Sequence, residues 1–261
     1  MTASQTFARY VAIGDSSTEG LEDPNPDGTY RGWANRFAEH VAAAQTPPLL
    51  YANLAVRGRK TREVREQQLA PALAMRPDLA TVFTGVNDIV RPSCDVRAVA
   101  ADLEFMLGAL RDQGATVLTI TMPDLSGVVP LARLMRRRLL ALNALVREAA
   151  GRTGSHCVDL ARHRVTRDLR LWHPDRLHAN SEGHRRIALA LAAAVGAVPD
   201  DEAWAQQIAT QRPTSQMVRL GGEWAWARDY FLPWMWRHMR GISSGDGRAA
   251  KRPAFEPVVL D

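Results

Sequence analysis

Short apolar runs alternate with longer amphipathic segments over the first 200 residues of the chain. The short runs are rich in aliphatic and β-branched side chains, which is typical of buried strands. They lie at residues 10–13, 50–54, 79–84, 116–121 and 156–160. The longer segments repeat apolar residues every three or four positions, which predicts helices. These lie at residues 33–44, 61–75, 96–113, 131–150 and 181–198.

This alternation predicts a parallel sheet with helices on both faces, because strands joined by helices of this length pair through right-handed crossovers. In such sheets a ligand binds beyond the carboxyl ends of the strands. Residues that directly follow a predicted strand are therefore expected to meet at one edge of the sheet. Four polar motifs occupy positions that can reach this edge.

The first two motifs supply a hydroxyl and backbone N–H groups. Ser16 lies in a Gly-Asp-Ser-Ser turn directly after the first strand, where its hydroxyl can act as a nucleophile and its own N–H group can face an oxyanion. Gly58 follows the second strand, where the backbone can approach a ligand without a Cβ atom. Taken alone, Ser16 is equally explained as an ordinary turn residue, and Gly58 is better explained as one.

The other two motifs supply an amide, a carboxylate and an imidazole. Asn87 follows the third strand and can donate a side-chain N–H group to the same oxyanion. Asp175 and His178 lie three residues apart, just before the last predicted helix. At this spacing the carboxylate can orient the imidazole, which can then remove the proton of Ser16. Alternatively, Asn87 forms an Asx turn, and Asp175 and His178 are a pair of surface residues.

Two competing sites are less well supported. A metal site formed by His173, Asp175 and His178 has neither an HExxH-like nor a CxxC pattern. Ser243 lies in a GxSxG sequence at residues 241–245, but a nucleophile of that type requires a strand before it and a helix after it. A Trp-rich, helix-like segment precedes it instead. We therefore expect neither a metal nor an organic cofactor.

The composition of the chain argues against several other classes of protein. The formal charge is +5, but the basic residues are scattered and do not alternate with aromatic side chains, so a nucleic-acid partner is not expected. Cys94 and Cys157 form no disulfide framework. The chain opens without a signal-peptide pattern and has no long apolar run. We expect a reduced, cytoplasmic, soluble protein, and the oligomeric state is not predicted.

In this order, the four motifs resemble those of the SGNH hydrolases, the GDSL-like lipase/esterase superfamily. Ser16, Gly58 and Asn87 match its first three blocks, and Asp175 with His178 matches its final Asp-x-x-His. The resemblance covers about residues 8–197. Ser17 and Ala179 depart from the usual residues without removing a catalytic group.

The resemblance implies a catalytic triad of Ser16, Asp175 and His178, with an oxyanion hole formed by Ser16, Gly58 and Asn87. We expect a flavodoxin-like three-layer α/β/α domain at residues 1–199 with a five-stranded parallel sheet. Its expected function is hydrolysis of carboxylic esters with a small-molecule or lipid substrate. The alternatives are a sugar or polysaccharide O-deacetylase and a non-catalytic binding module.

The remaining residues, 200–261, contain five of the seven tryptophans and form a predicted C-terminal extension. This extension is expected to be a helical arm or cap followed by an extended tail. It can cover the crevice, contact a membrane surface or bury its tryptophans structurally. Membrane contact is the least favoured, because the aromatic residues do not form a clean stripe on one helical face.

Overall fold

Six strands form one sheet in a computed structural model, which describes residues 6–209, 226–233 and 244–260. The strands are β1 (Arg9–Gly14), β2 (Leu50–Asn53), β3 (Leu79–Phe83), β4 (Thr116–Ile120), β5 (His156–Val158) and β6 (Arg252–Pro257). Their order across the sheet is β5-β4-β3-β1-β2-β6. The predicted α/β fold class is therefore confirmed.

The number of strands is the one correction to this prediction. The five predicted strands pair in parallel, whereas β6 pairs antiparallel with β2 at the edge of the sheet. This sixth strand comes from the segment that we expected to be an extended tail. Pro253 and Pro257 interrupt the strand-like sequence pattern, so the sequence did not predict this strand. An edge strand tolerates proline because one side of it needs no hydrogen-bonding partner.

The helices form two packed groups, as a three-layer fold requires. They are α1 (Ser16–Glu19), α2 (Gly32–Ala43), α3 (Thr61–Ala74), α4 (Val86–Ile89), α5 (Val96–Asp112), α6 (Arg136–Thr153) and α7 (Ser181–Ala194). Helix α2 packs against α7, while α5 packs against both α3 and α6. Strands β2 and β3 lie on opposite sides of β1, so connections of the same hand place these two groups on opposite faces of the sheet.

The sixth helix differs most from its prediction at residues 131–150. A 3₁₀ helix at Pro130–Leu134 precedes it, and α6 itself runs to Thr153. It ends there because Gly154 adopts a left-handed conformation with φ of 66°. Gly151, the residue after the predicted end of this helix, lies inside it.

Further 3₁₀ helices lie at Leu125–Gly127, Leu160–Arg162, Arg164–Arg167, Leu169–Leu171 and Ala203–Ala205, and a π-helical turn lies at Ala227–Phe231. Within the described ranges, no helix has the length and apolar character that crossing a bilayer requires. The division of the chain near residue 200 stays a prediction.

Candidate active site

Ser16 opens helix α1 at the carboxyl end of the central strand β1. Asp15 caps this helix, since its Oδ1 accepts the N–H of Ser17 at 3.1 Å. Gly14 is required just before the cap, because a Cβ atom there would lie 2.2 Å from the carbonyl oxygen of Phe83. The local sequence thus fixes Ser16 at the edge of the sheet where a ligand is expected.

A chain of hydrogen bonds joins Ser16 to His178 and Asp175. Ser16 Oγ lies 2.8 Å from His178 Nε2, and His178 Nδ1 lies 2.7 Å from Asp175 Oδ2. With Asp175 ionised, Nδ1 carries the imidazole proton and Nε2 accepts the hydroxyl proton of Ser16. This geometry allows His178 to act as a base toward Ser16.

The loop between two bridged residues holds Asp175 in place. Trp172 and Ala179 form an isolated antiparallel bridge that closes the loop just before α7. Inside it, Asp175 Oδ1 accepts the N–H groups of Leu177 at 2.9 Å and His178 at 3.0 Å. One carboxylate oxygen is therefore tied to the backbone, and the other is left for the imidazole.

Electrostatics favour the ionised carboxylate. Burial alone would raise the pKa of Asp175, but the hydrogen bond and charge of His178, together with the two backbone N–H groups, lower that pKa to about 2. Burial alone would lower the pKa of His178, but Asp175 and the charges of Asp15 and Glu22 raise it. The carboxylate thus stabilises the imidazolium that forms when His178 takes a proton.

The candidate oxyanion donors come from three adjacent turns. Within the described residues, no hydrogen bond uses the backbone N–H of Ser16 or of Gly58, and Gly58 has a φ of 76°. The side-chain amide of Asn87 donates to Asp15 Oδ2 at 3.3 Å and to the carbonyl oxygen of Arg59 at 3.0 Å, so it can serve an oxyanion only by giving up one of these contacts. Asn87 therefore contacts the immediate neighbours of both Ser16 and Gly58, so the three donors are close in space.

Asp15 has an environment that sequence reasoning did not anticipate. It is 1% exposed, and burial raises its pKa to about 7 despite the hydrogen bond from Ser17 and the charge of His178. Its location in the Gly-Asp-Ser turn was the available signal. Because its Oδ2 faces Asn87, this carboxyl group orients the candidate donor.

An apolar cavity of about 150 Å³ lies beside the turn that carries Ser16. Ser17 and Leu177, the neighbours of Ser16 and His178, contribute to its wall. The rest comes largely from the segments after β4 and β5. Apolar side chains from these two segments include Met122, Pro123, Leu125, Leu160, Val165 and Leu171.

A comparison of the sequence with known protein families identifies the family of the chain. The model of the GDSL-like lipase/acylhydrolase family matches residues 12–186, which include every candidate residue described above. The chain belongs to this family. No curated protein matches the chain significantly.

Solved structures share the fold of this GDSL-like hydrolase at low sequence identity. LAE5, an alpha/beta hydrolase enzyme from the metagenome of Lake Arreo, is 22% identical with a TM-score of 0.61, covering 73% of this chain and 95% of its own. A lipase/acylhydrolase from Enterococcus faecalis is 21% identical with a TM-score of 0.58 (70% and 93%). A catalytic mutant of Axe2, an acetylxylan esterase from Geobacillus stearothermophilus, is 18% identical with a TM-score of 0.60 (78% and 98%).

The metal alternative for this GDSL-like hydrolase involves different residues from those expected. Ligand atoms of Glu22, Asp175 and His178 lie within 4.8 Å of one another. His173 instead contacts Glu22 at 3.2 Å through Nε2 and Asp175 at 3.3 Å through Nδ1. Any metal held by this cluster would use the two groups that bond to each other beside Ser16.

The described part of the C-terminal extension also reaches the site. Trp226 Nε1 donates to the carbonyl oxygen of Asp175 at 3.0 Å, and the Arg176 guanidinium lies 4.9 Å from the centre of the Trp226 ring. These contacts join the extension to the Asp175 loop, and the role of the extension stays a prediction. Ser243 and the other tryptophans of residues 224–236 lie outside the described residues.

Proposed function

We propose that this protein hydrolyses carboxylic esters through an acyl-enzyme formed on Ser16. The 2.8 Å contact between Ser16 Oγ and His178 Nε2, with Asp175 behind the imidazole, is the observation that carries the proposal. Ser16 Oγ bonds to the carbonyl carbon of the ester while His178 takes the hydroxyl proton. His178 then gives this proton to the leaving alcohol as the ester C–O bond breaks.

Hydrolysis of the acyl-enzyme repeats these steps with water. His178 removes a proton from water, the hydroxide oxygen bonds to the acyl carbon, and the proton returns to Ser16 Oγ as the acid departs. During both halves, negative charge develops on the carbonyl oxygen. We assign its stabilisation to the N–H groups of Ser16 and Gly58 and to the Asn87 amide.

The apolar cavity supports an acyl group longer than acetyl. Its wall beside Ser17 and Leu177 offers mostly hydrocarbon surface, which stabilises an alkyl chain by removing it from water. The structural likeness to an acetylxylan esterase supports a second candidate, O-deacetylation of a sugar or polysaccharide. A small acyl group would leave most of this cavity unfilled.

A panel of p-nitrophenyl esters from acetyl to palmitoyl, together with an acetylated xylan, tests the proposal. We expect hydrolysis of the nitrophenyl esters, a preference for acyl chains longer than acetyl, and loss of activity in Ser16→Ala. Activity confined to acetyl groups on the polysaccharide would favour the deacetylase. A folded protein that cleaves none of these substrates would instead favour a binding module on the same scaffold.

A further inference from the structure

Lys251 lies far from Ser16 in sequence, just before strand β6, and its ammonium group is fully engaged. Nζ donates to the carbonyl oxygen of Arg31 at 2.8 Å, to that of Glu19 at 3.0 Å and to Asn35 Oδ1 at 3.1 Å. Three donors thus meet three neutral oxygens. None of these acceptors is a carboxylate, so Lys251 does not form a simple surface ion pair.

The Glu19 acceptor connects Lys251 to the nucleophile helix. Glu19 is the last residue of the four-residue helix α1 and Ser16 is the first, and the Glu19 N–H donates to the carbonyl oxygen of Asp15 at 2.9 Å. A cation at the C-terminal carbonyl also complements the helix dipole. Lys251 therefore fixes the end of the element that carries the nucleophile.

The same glutamate holds the loop that carries Gly58. Its carboxylate accepts the backbone N–H of Arg57 at 2.7 Å and also binds the Arg57 guanidinium. The path from the Lys251 ammonium through Glu19 to the Arg57 backbone thus consists of two hydrogen bonds. It ends one residue before a candidate oxyanion donor.

A second contact from the C-terminal segment acts on this loop directly. Gly245 packs so closely on Arg57 that a Cβ atom at residue 245 would lie 2.0 Å from the Arg57 carbonyl oxygen. Strand β6 then anchors the segment to β2, the strand that leads into the loop. The segment at residues 244–257 therefore contacts both elements that bear the backbone oxyanion donors.

The residue type at this position is informative. Lys251 is one of two lysines in a chain with 33 lysines and arginines in total. The ammonium group of a lysine has three N–H donors that can rotate toward three oxygens surrounding Nζ. The guanidinium group of an arginine is larger and planar, and it suits bidentate acceptors. Burial lowers the pKa of Lys251 to about 8, so the site holds this charge against a desolvation cost.

We propose that Lys251 is a positioning residue that keeps the Ser16 N–H and the Gly58 N–H aligned on one oxyanion. The C-terminal segment is then part of the active-site architecture, although it lies beyond residues 12–186, where the family match ends. This inference rests on the proposed ester hydrolysis. Misplacing the donors weakens binding of the transition state more than binding of the substrate.

The test compares Lys251→Ala and Lys251→Gln with the wild-type protein, using Glu256→Gln as a control in the exposed part of the same segment. We expect Lys251→Ala to lower kcat by about tenfold or more while KM changes by less than about twofold. Lys251→Gln can serve at most two of the three oxygens, so its kcat should lie between those of Lys251→Ala and the wild type. Glu256→Gln should match the wild type.

Chemical rescue separates positioning from a general loss of stability. Added n-propylammonium supplies N–H donors to the space left in Lys251→Ala and should restore part of kcat, whereas tetramethylammonium, which has charge but no N–H donor, should not. A wild-type kcat in folded Lys251→Ala, or an effect on KM or Tm alone, would overturn the inference. If Lys251→Ala does not fold, a wild-type kcat in Lys251→Gln would overturn it.

Failure of the proposed function would be recognised separately. It would appear as a wild-type protein without esterase activity, or as one whose activity survives in Ser16→Ala. The Lys251 comparison is a ratio to an active wild type that depends on Ser16, so it can fail while ester hydrolysis stands.

Discussion

The pairing of Asp175 with His178 predicts a specific pH dependence of ester hydrolysis. His178 must be neutral to accept the Ser16 proton, and its pKa is raised above 6.5 because Asp175 outweighs the effect of burial. Activity should therefore increase with pH through a midpoint above 6.5. Replacing Asp175 by Asn removes the negative charge while keeping the side-chain shape, so the midpoint should move to lower pH.

The net stabilisation of the ionised Asp175 carboxylate combines burial, the contact with His178 and two backbone N–H groups, and its size follows from the pKa of the carboxylate. Its pKa falls from 3.8 to about 2, which corresponds to roughly 2–3 kcal/mol in favour of the ionised form in the folded protein. That contribution to folding stability is present above pH 3.8 and is lost as the pH falls toward about 2. For His178 the sign is opposite: its contribution is present below pH 6.5 and is lost as the pH rises through the higher folded pKa.

The assay is kcat/KM against pH, because this ratio reports the ionisations of the free enzyme. Nitrophenol release should be followed at a wavelength where its neutral and ionised forms absorb equally. Asp175→Asn should lower kcat by about 10⁴-fold as well as shift the midpoint, since the imidazole then adopts the wrong tautomer. If kcat/KM falls on the acid side (the acid limb of the profile) with the same midpoint in Asp175→Asn and in the wild type, the reasoning is refuted.

Asp15 must be compared with Asp175, because its pKa of about 7 lies in the pH range where the activity is expected to change. Asp15→Asn keeps an oxygen that can face Asn87 but removes a charge that raises the pKa of His178. Its acid limb should also move to lower pH, with a much smaller loss of rate than Asp175→Asn causes.

Three further predictions concern the oxyanion donor, the acyl pocket and the metal alternative. Asn87→Ala should lower kcat by roughly 10²–10³-fold with little change in KM, and a raised KM at constant kcat would contradict the donor role. Ala132 lines the cavity, so Ala132→Trp should lower kcat/KM for octanoyl esters relative to acetyl esters by about tenfold or more. Leu134 is 74% exposed and does not line the cavity, so Leu134→Trp should leave this ratio unchanged. EDTA should not affect the rate, since the proposed proton transfers use protein side chains alone, and inhibition reversed by zinc would instead assign a metal to Glu22 and its neighbours.

The sequence predicted the parts of the site that follow from strand topology. Ser16, Gly58 and Asn87 each follow a parallel strand, and such strand ends share one edge of the sheet. Asp175 and His178 could be paired because three residues in a turn allow a side chain to fold back. Their contacts in the structure have the geometry that this reasoning requires.

The parts that were missed depend on contacts between distant segments. Strand β6 carries two prolines and pairs across some 200 residues of chain, so local alternation did not reveal it. The three oxygens around Lys251 come from α1 and from residues 31 and 35, and no spacing near residue 251 identifies them. The perturbed pKa of Asp15 likewise arises from burial, which a linear pattern does not specify.

Labelling with a fluorophosphonate probe tests the central claim most directly, because such probes react with a serine that an adjacent base activates. The account predicts one adduct, located on Ser16 by peptide mass spectrometry, with parallel loss of esterase activity. His178→Ala should prevent both labelling and hydrolysis. An adduct on Ser243 or another serine, or an active protein that remains unlabelled, would contradict the assignment of Ser16 as the nucleophile.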